Sequence, residues 1–446
     1  MGGEASKSGN SAAAKEVVRD HRFDLFLSKV TKEEQPGSEI LKPTFVNQFP
    51  DFAENLAETF FNHIAQTNIN PEHASISLEV INRQQCYQAF LQVQSLTSTQ
   101  SQLEFYIRVF CGTDGLTEKG VHSLLETAYI ISMRTNGTFH KWTEIEQTVI
   151  KELAHTIVSK GSQSSALSWM DTNCPNLVAA MHLFFLTNIY RGKDEEHSTN
   201  VTNSEIFEGR LLSMTRWWIL TSTLPSCFSQ SQGQSEQVDG ASASASGDKN
   251  KEVAEEYHWS ILYSSEDHGL SLNRFKHHVF GYRGPTVLIL RCDGDYVYAV
   301  AIDVEWRDGI QPWGGANCHI IRISPDFQIL EDGDNMVVFN DKSRNIPKGV
   351  WIGRDSRNRK LHIEEGFETV THNFQTSRIK CMEVWGCGDP SAKTAQSKQK
   401  KTELRDAEKH SKVKLPGHWD ENPDKMILDW GGVKVNHAEY AYDARK

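Results

Sequence analysis

The sequence predicts an α+β protein: an all-helical N-terminal domain, then a β-sandwich flanked by helices, then a charged C-terminal helix. Three observations predict it. From His21 to about Tyr190 apolar residues recur at three- and four-residue spacing, the period of a buried helical face. From Trp259 the period shortens to two, with short apolar runs between turns. Residues 391 to 414 carry eight Lys or Arg against three acidic residues and almost no apolar stripe. A chain of 446 residues accommodates two or three domains with full cores.

Residues 1–19 are small and polar and read as a flexible N-terminus. They open Met1-Gly2-Gly3-Glu4-Ala5-Ser6, the M-G-x-x-x-[ST] pattern for myristoylation of Gly2. One myristoyl chain binds membrane only marginally, with an association constant of about 10⁴ M⁻¹, so a second contact is needed for stable anchoring. Helical stripes follow at Phe23, Phe26, Leu27 and Val30, at Phe52, Leu56, Phe60 and Phe61, and at Ile145, Val149, Leu153 and Ile157. These place a domain of seven or eight helices at 20–190. Within it Phe105 to Tyr129 is EF-hand-like, with Gly112 to Thr117 between two amphipathic runs. Setting Gly115 at loop position 6 puts Phe110, Gly112 and Asp114 at positions 1, 3 and 5 and Val121 at position 12, where calcium needs a bidentate Glu. No calcium site is expected there.

Residues 191–204 read as a linker. Leu211 to Leu220 is helical and stops before Pro225. The stretch 229–251, rich in Ser, Gln, Gly and Ala without an aromatic residue, cannot bury enough surface to fold. Val287-Leu288-Ile289-Leu290 is a continuous apolar run, as in a strand buried on both faces, and Asp293-Gly294-Asp295 is a hairpin turn leading into Tyr296 to Ala301. Further strands are expected at Cys318–Ile323, Met336–Phe339, Val350–Ile352, Leu361–Ile363 and Ile379–Trp385. The C-terminal segment, 391–446, reads as a charged helix and a docking tail. Lys400, Lys401, Leu404 and Arg405 on the helix, with Trp419, Leu428 and Trp430 beyond Pro416, are its candidate partner contacts.

The formal charge of −11 argues against nucleic acid, whose backbone is met by clustered Lys and Arg. The longest apolar stretch, Leu177 to Leu186, is broken by His182 and is far shorter than the roughly 20 residues that span a bilayer as helix. No transmembrane segment or secretory signal is expected. The eight cysteines are scattered without a CxxC pair, as in a reduced cytosolic protein. Cys318 and His319 are adjacent on a strand, so their side chains point to opposite faces and do not pair. His277-His278 lacks a third ligand at a recognisable spacing. Walker, GxSxG and HExxH motifs are missing. The chain is therefore expected to be no enzyme, with neither cofactor nor metal.

Trp259-Ser260-Ile261-Leu262-Tyr263-Ser264-Ser265-Glu266-Asp267-His268-Gly269-Leu270, Gly281-Tyr282-Arg283-Gly284-Pro285-Thr286, and Met382-Glu383-Val384-Trp385-Gly386-Cys387-Gly388-Asp389 together resemble the TLDc-domain family. Trp306, Asn317-Cys318, Ser324-Pro325, Phe339-Asn340 and Ile346-Pro347-Lys348-Gly349 fall between them in the family's order. In the family a helix ending in Leu-Pro precedes the first motif. Leu224-Pro225 matches it, which sets the TLDc domain at 205–390 and makes 229–251 an insertion within it. Trp259, Gly281, Arg283, Gly284, Pro285, Trp306, Trp385 and Gly386 are then its structural motif residues. The sequence departs from the family after Ile352, where Gly353-Arg354-Asp355-Ser356-Arg357 replaces a Gly-Gly pair and a longer loop.

The resemblance implies a non-catalytic module that binds the V-ATPase. A myristoylation signal, a helical half, one TLDc domain and a charged helix resemble the branch of the family tied to mTOR signalling at the lysosome. The implied reading is a scaffold or regulator on the cytoplasmic face of the lysosomal membrane, and also in the cytoplasm. Its partners would be V-ATPase subunits, mTOR signalling components and, through the myristoyl group, the membrane surface. The runner-up is an oxidative-stress protective factor acting through reactive thiols.

Overall fold

The structure, a computed structural model, describes residues 23–31, 37–67, 79–112, 115–135, 143–191, 204–229, 259–344, 346–411, 427–428 and 430–432. Gly2, Trp419, most of the 191–204 segment and all of the 229–251 insertion but Ser229 lie outside these residues. The chain divides into two compact units, residues 1–392 and 393–446.

The first unit opens with helices α1 (Asp24–Val30), α2 (Lys42–Val46), α3 (Glu54–Thr67), α4 (Arg83–Gln94), α5 (Thr99–Cys111), α6 (Glu118–Thr135), α7 (Glu144–Val158), α8 (Gln163–Asn173) and α9 (Ala179–Arg191). Capping boxes start α4, α5 and α7, at Asn82/Gln85, Ser98/Ser101 and Thr143/Glu146. Each satisfies backbone donors that a helix start leaves free. Phenylalanines 23, 26, 45, 60, 90 and 185 fill the centre in a run of edge and stacked ring contacts.

Two details depart from the expected pattern. Ile145 stands 59% exposed. Glu146 takes the inward place, its carboxylate accepting from the backbone and hydroxyl of Thr143. The all-helical expectation also omits a short antiparallel ladder, β1 (Glu39–Leu41) with β2 (Val80–Asn82), centred on the buried pair Ile40 and Ile81. The stretch read as EF-hand-like holds α5 and α6, and Val121 is buried in the core.

After α10 (Met214–Thr223) come β3 (Ser260–Ser264), α11 (Ser265–His268) and α12 (Leu272–Val279). The strands that follow are β4 (Thr286–Cys292), β5 (Val297–Ile302), β6 (Gly309–Trp313), β7 (His319–Ser324), β8 (Gln328–Asp332), β9 (Val337–Asn340), β10 (Gly349–Ile352), β11 (Leu361–Glu364), β12 (Thr369–His372) and β13 (Gln375–Gly386). They join in the order β6-β9-β10-β11-β12-β13-β4-β5-β7-β8, with β3 also on β13. The ladders are antiparallel, and β13 belongs to two half-sheets. Its first residues pair with β12, while those from Ile379 pair with β4 and then also β3. A register shift between Ile379 and Cys381 marks the change, as a bulge lets a strand bend.

The two half-sheets enclose an apolar layer that includes Leu288, Val300 and Ile320 from one and Val337, Ile352, Ile363 and Val370 from the other. This is the expected sandwich. The alternate residues of the central strands, Val287, Ile289, Ala299, Ala301 and Ile321, join a second cluster with Trp217, Trp218 and the helical phenylalanines. The run at 287–290 is thus buried on both faces, and the helical half and the sheet share one core. Among the described residues no helix is long and apolar enough to cross a membrane.

Candidate functional site

The two glycine motifs meet in space. Tyr282 is buried, and its hydroxyl accepts from the Gly388 amide at 2.9 Å. A Cβ on Gly284 would lie 2.9 Å from the Tyr282 ring, and one on Gly386 only 2.6 Å from it. Cys387 N donates to Pro285 O at 2.8 Å, tying the turn before β4 to the end of β13. Gly281 sits at φ +79°, where glycine carries no steric penalty. Arg283 points outward and reaches Glu305 at 3.8 Å. Tyr282 is the residue the motif reading passed over. Its signal was a large aromatic between glycines.

The motif tryptophans Trp259, Trp306 and Trp385 are buried, each with its indole N–H satisfied. Trp259 donates to Phe228 O at 2.9 Å, which ties the residue before β3 to the segment after α10. Trp306 donates to Thr286 Oγ1, and Trp385 to Glu383 Oε2, both at 2.9 Å. Glu383, only 2% exposed, also accepts from Leu211 N at 2.7 Å and Leu212 N at 3.1 Å. One carboxylate therefore holds the segment before α10 to β13. Beside it burial pushes the pKa of Arg216 down, while Glu152 and Glu383 oppose that shift.

Elsewhere side chains shape the loops. Asn340 donates to the carbonyls of Ser343 and Ile346 and accepts from Ser343 N. Cys318 donates to Asp303 Oδ1, whereas His319 contacts Asn317 O, so the two serve separate partners.

Two buried histidines give the fold a pH dependence. His372, between the half-sheets, shares hydrogen bonds of 2.9 Å with Tyr298 and with Ser377. His182 shares one of 3.1 Å with Tyr106. Burial lowers the His182 pKa to about 4. Burial, with Arg322 adding to it, lowers that of His372. Both are held neutral in the fold, while the unfolded chain takes up their protons below about 6.5. Their contribution to stability should be constant above that pH and fall as pH drops from 6.5 towards 4. Urea midpoints at pH 7.5 and 5 check this, and His182→Gln should flatten the slope.

In the tail, α13 (Pro390–Ser411) carries Lys400, Lys401, Leu404 and Arg405 at i, i+1, i+4 and i+5, which gathers them on one side of the helix. Lys401, Leu404 and Arg405 are exposed and Lys400 is partly buried. Ile427, Leu428 and Trp430 are exposed large apolar residues in the same unit, Trp430 at 85%.

Comparison with known proteins agrees with the geometry of the sheet. Residues 247–388 match the TLDc domain family. MTOR-associated protein MEAK7 of Homo sapiens is 25% identical over 183 residues, 36% of this chain and 39% of that protein. Restriction of telomere capping protein 5 of Leptosphaeria maculans is 22% identical over 250 residues, 39% of this chain and 40% of its own. Oxidation resistance protein 1 of Xenopus laevis is 20% identical over 138 residues, 29% of this chain and 16% of its own. The chain thus spans about two-fifths of the length of the first two of these relatives. The described part of residues 247–388, which match the TLDc domain family, is a sandwich whose opening and closing motifs lock around Tyr282.

Proposed function

We propose that the chain is a non-catalytic regulator or scaffold on the cytoplasmic face of the lysosomal membrane. It binds the V-ATPase through its TLDc domain and C-terminal helix and supports mTOR signalling. The observation that carries this reading is α13, a helix of 22 residues running on from the TLDc domain with Lys401, Leu404 and Arg405 exposed. At 1.5 Å per residue such a helix reaches about 33 Å. A helix that polar stabilises itself poorly unless it bridges to something else. The names of the MTOR-associated relatives support the signalling half of the proposal. A myristoyl group on Gly2 and a protein contact would reinforce each other, because the second binding event becomes intramolecular.

The runner-up, protection from oxidation through thiols, draws support from the oxidation-resistance relative. The thiols themselves speak against it. Cys86, Cys174, Cys292, Cys318 and Cys387 are buried, and Cys111, Cys227 and Cys381 partly so. Burial raises the pKa of all eight, Cys292 to about 11 and Cys174 and Cys318 to about 12. The reactive species is the thiolate, and it is scarce at such pKa values.

Co-elution of the protein with intact V-ATPase tests the proposal. The full chain should co-elute, and a chain ending at Asp389 should bind more weakly. Replacing Cys111, Cys227 and Cys381 by Ser should leave binding unchanged. Failure of the full chain to co-elute would remove the pump from the reading.

A further inference from the structure

Three histidines meet beside β3. His268 ends α11, and His277 and His278 lie in the last turn of α12. The rings of His268 and His278 stack with centroids 3.7 Å apart and planes 29° apart, and His277 meets His278 edge-on at 5.0 Å. Tyr263 of β3 lies alongside, its ring 5.7 Å from that of His268. Both stacked rings are half-buried, while His277 is exposed.

The two stacked rings are not equivalent. His268 Nδ1 accepts from Ser264 N at 3.2 Å, so its ring proton is on Nε2. That bond helps to hold α11, a single turn of four residues, on the end of β3. The other ties are Glu266 N to Ser264 Oγ, Met382 N to Ser265 Oγ, and the Tyr263 hydroxyl to Gly269 O. His278 stands near the C-terminus of α12, where the helix dipole favours positive charge. The charged groups on the surrounding elements are already engaged. Arg274 donates to His268 O, Asp267 pairs with Arg210, and Lys276 is held by Asp308 and Asp341. Strand β3 carries no charge, and on β13 Glu383 accepts from Leu211, Leu212 and Trp385 while Lys380 reaches Asp293 and Asp295. Glu266 is exposed.

We propose that the stacked pair is a proton-operated latch: His278 takes the first proton, and a second, on His268, releases α11 from β3. A charged imidazole carries N–H at both ring nitrogens, so Nδ1 of a charged His268 would meet the Ser264 amide donor to donor. Two charged rings in contact also repel, so the pair takes up its protons in two steps about tenfold or more apart in affinity. Histidine is the side chain that changes charge between pH 5 and 8, so the latch answers to acidification alone. What it moves is the turn at 265–269, and with it the tie from Asp267 to Arg210 ahead of α10. The latch lies within the sandwich and stands without the pump-binding reading.

The test is hydrogen–deuterium exchange of the full-length protein from pH 7.5 to pH 5, with each rate divided by the intrinsic rate at that pH. The amides of 264–269, where Ser264 N and Gly269 N are hydrogen-bonded, should lose protection by about tenfold while those of β4 keep theirs. His268→Gln has an oxygen that can still accept from Ser264 N but takes up no proton, so its turn should stay protected throughout. His278→Gln removes the repelling charge and should move the loss about one pH unit higher. The wild-type result reads the latch even where a variant fails to fold. Unchanged protection at 264–269 in the wild type, or an equal loss along β4, would overturn the proposal. So would the wild-type pH dependence persisting in His268→Gln.

Discussion

Replacing Glu383 by Ala removes about 3–5 kcal/mol of stability, the cost of breaking a buried, charge-assisted network from one side. Three donors lose their acceptor together: the amides of Leu211 and Leu212 and the indole of Trp385. The carboxylate is closed to water, so solvent cannot replace it without opening the contact between the segment before α10 and β13. Glu383→Gln keeps one acceptor oxygen but turns an amide donor towards groups that already donate, so it should recover only part of the loss. Urea denaturation of the two variants checks this. An alanine variant within 1 kcal/mol of wild type would mean that the network contributes little.

The second large effect is Gly349→Ala. Gly349 has φ +124°, and a Cβ there would lie 2.1 Å from Ile363 O. That oxygen belongs to the backbone of the neighbouring strand β11, so no side chain can swing aside. Strain at the dihedral and overpacking each cost about 1–3 kcal/mol, which sums to roughly 4. Gly366 is the control, because it has open space around its missing Cβ. Gly366→Ala should be nearly neutral where Gly349→Ala is severe.

The sequence made the double-sided burial at Val287–Leu290 legible because no polar residue interrupts that run. It hid β6, β8 and β12, for reasons visible in their residues. Gly309–Trp313 contains Pro312 and pairs irregularly at a sheet edge, Gln328–Asp332 ends in two acids, and Thr369–His372 has Val370 as its one aliphatic residue. The β1–β2 ladder, three residues a side, is too short to show a period. In the site, the motif tryptophans and glycines could be read from their type, but what they enclose could not. Tyr282 and Glu383 act through partners about a hundred or more positions away, and one chain alone does not reveal such pairs.

The strands buried on both faces also constrain how this protein can change over generations. Along β4, Ile289 answers to the helices and Leu288 to the opposite half-sheet. Neighbouring codons are thus filtered by unrelated surroundings, and a volume change at one has to be absorbed by α10 or by β9–β11, never by both. Drift in the helical half and drift in the sandwich should therefore be coupled through this strand, which makes the two halves poor candidates for exchange as separate modules.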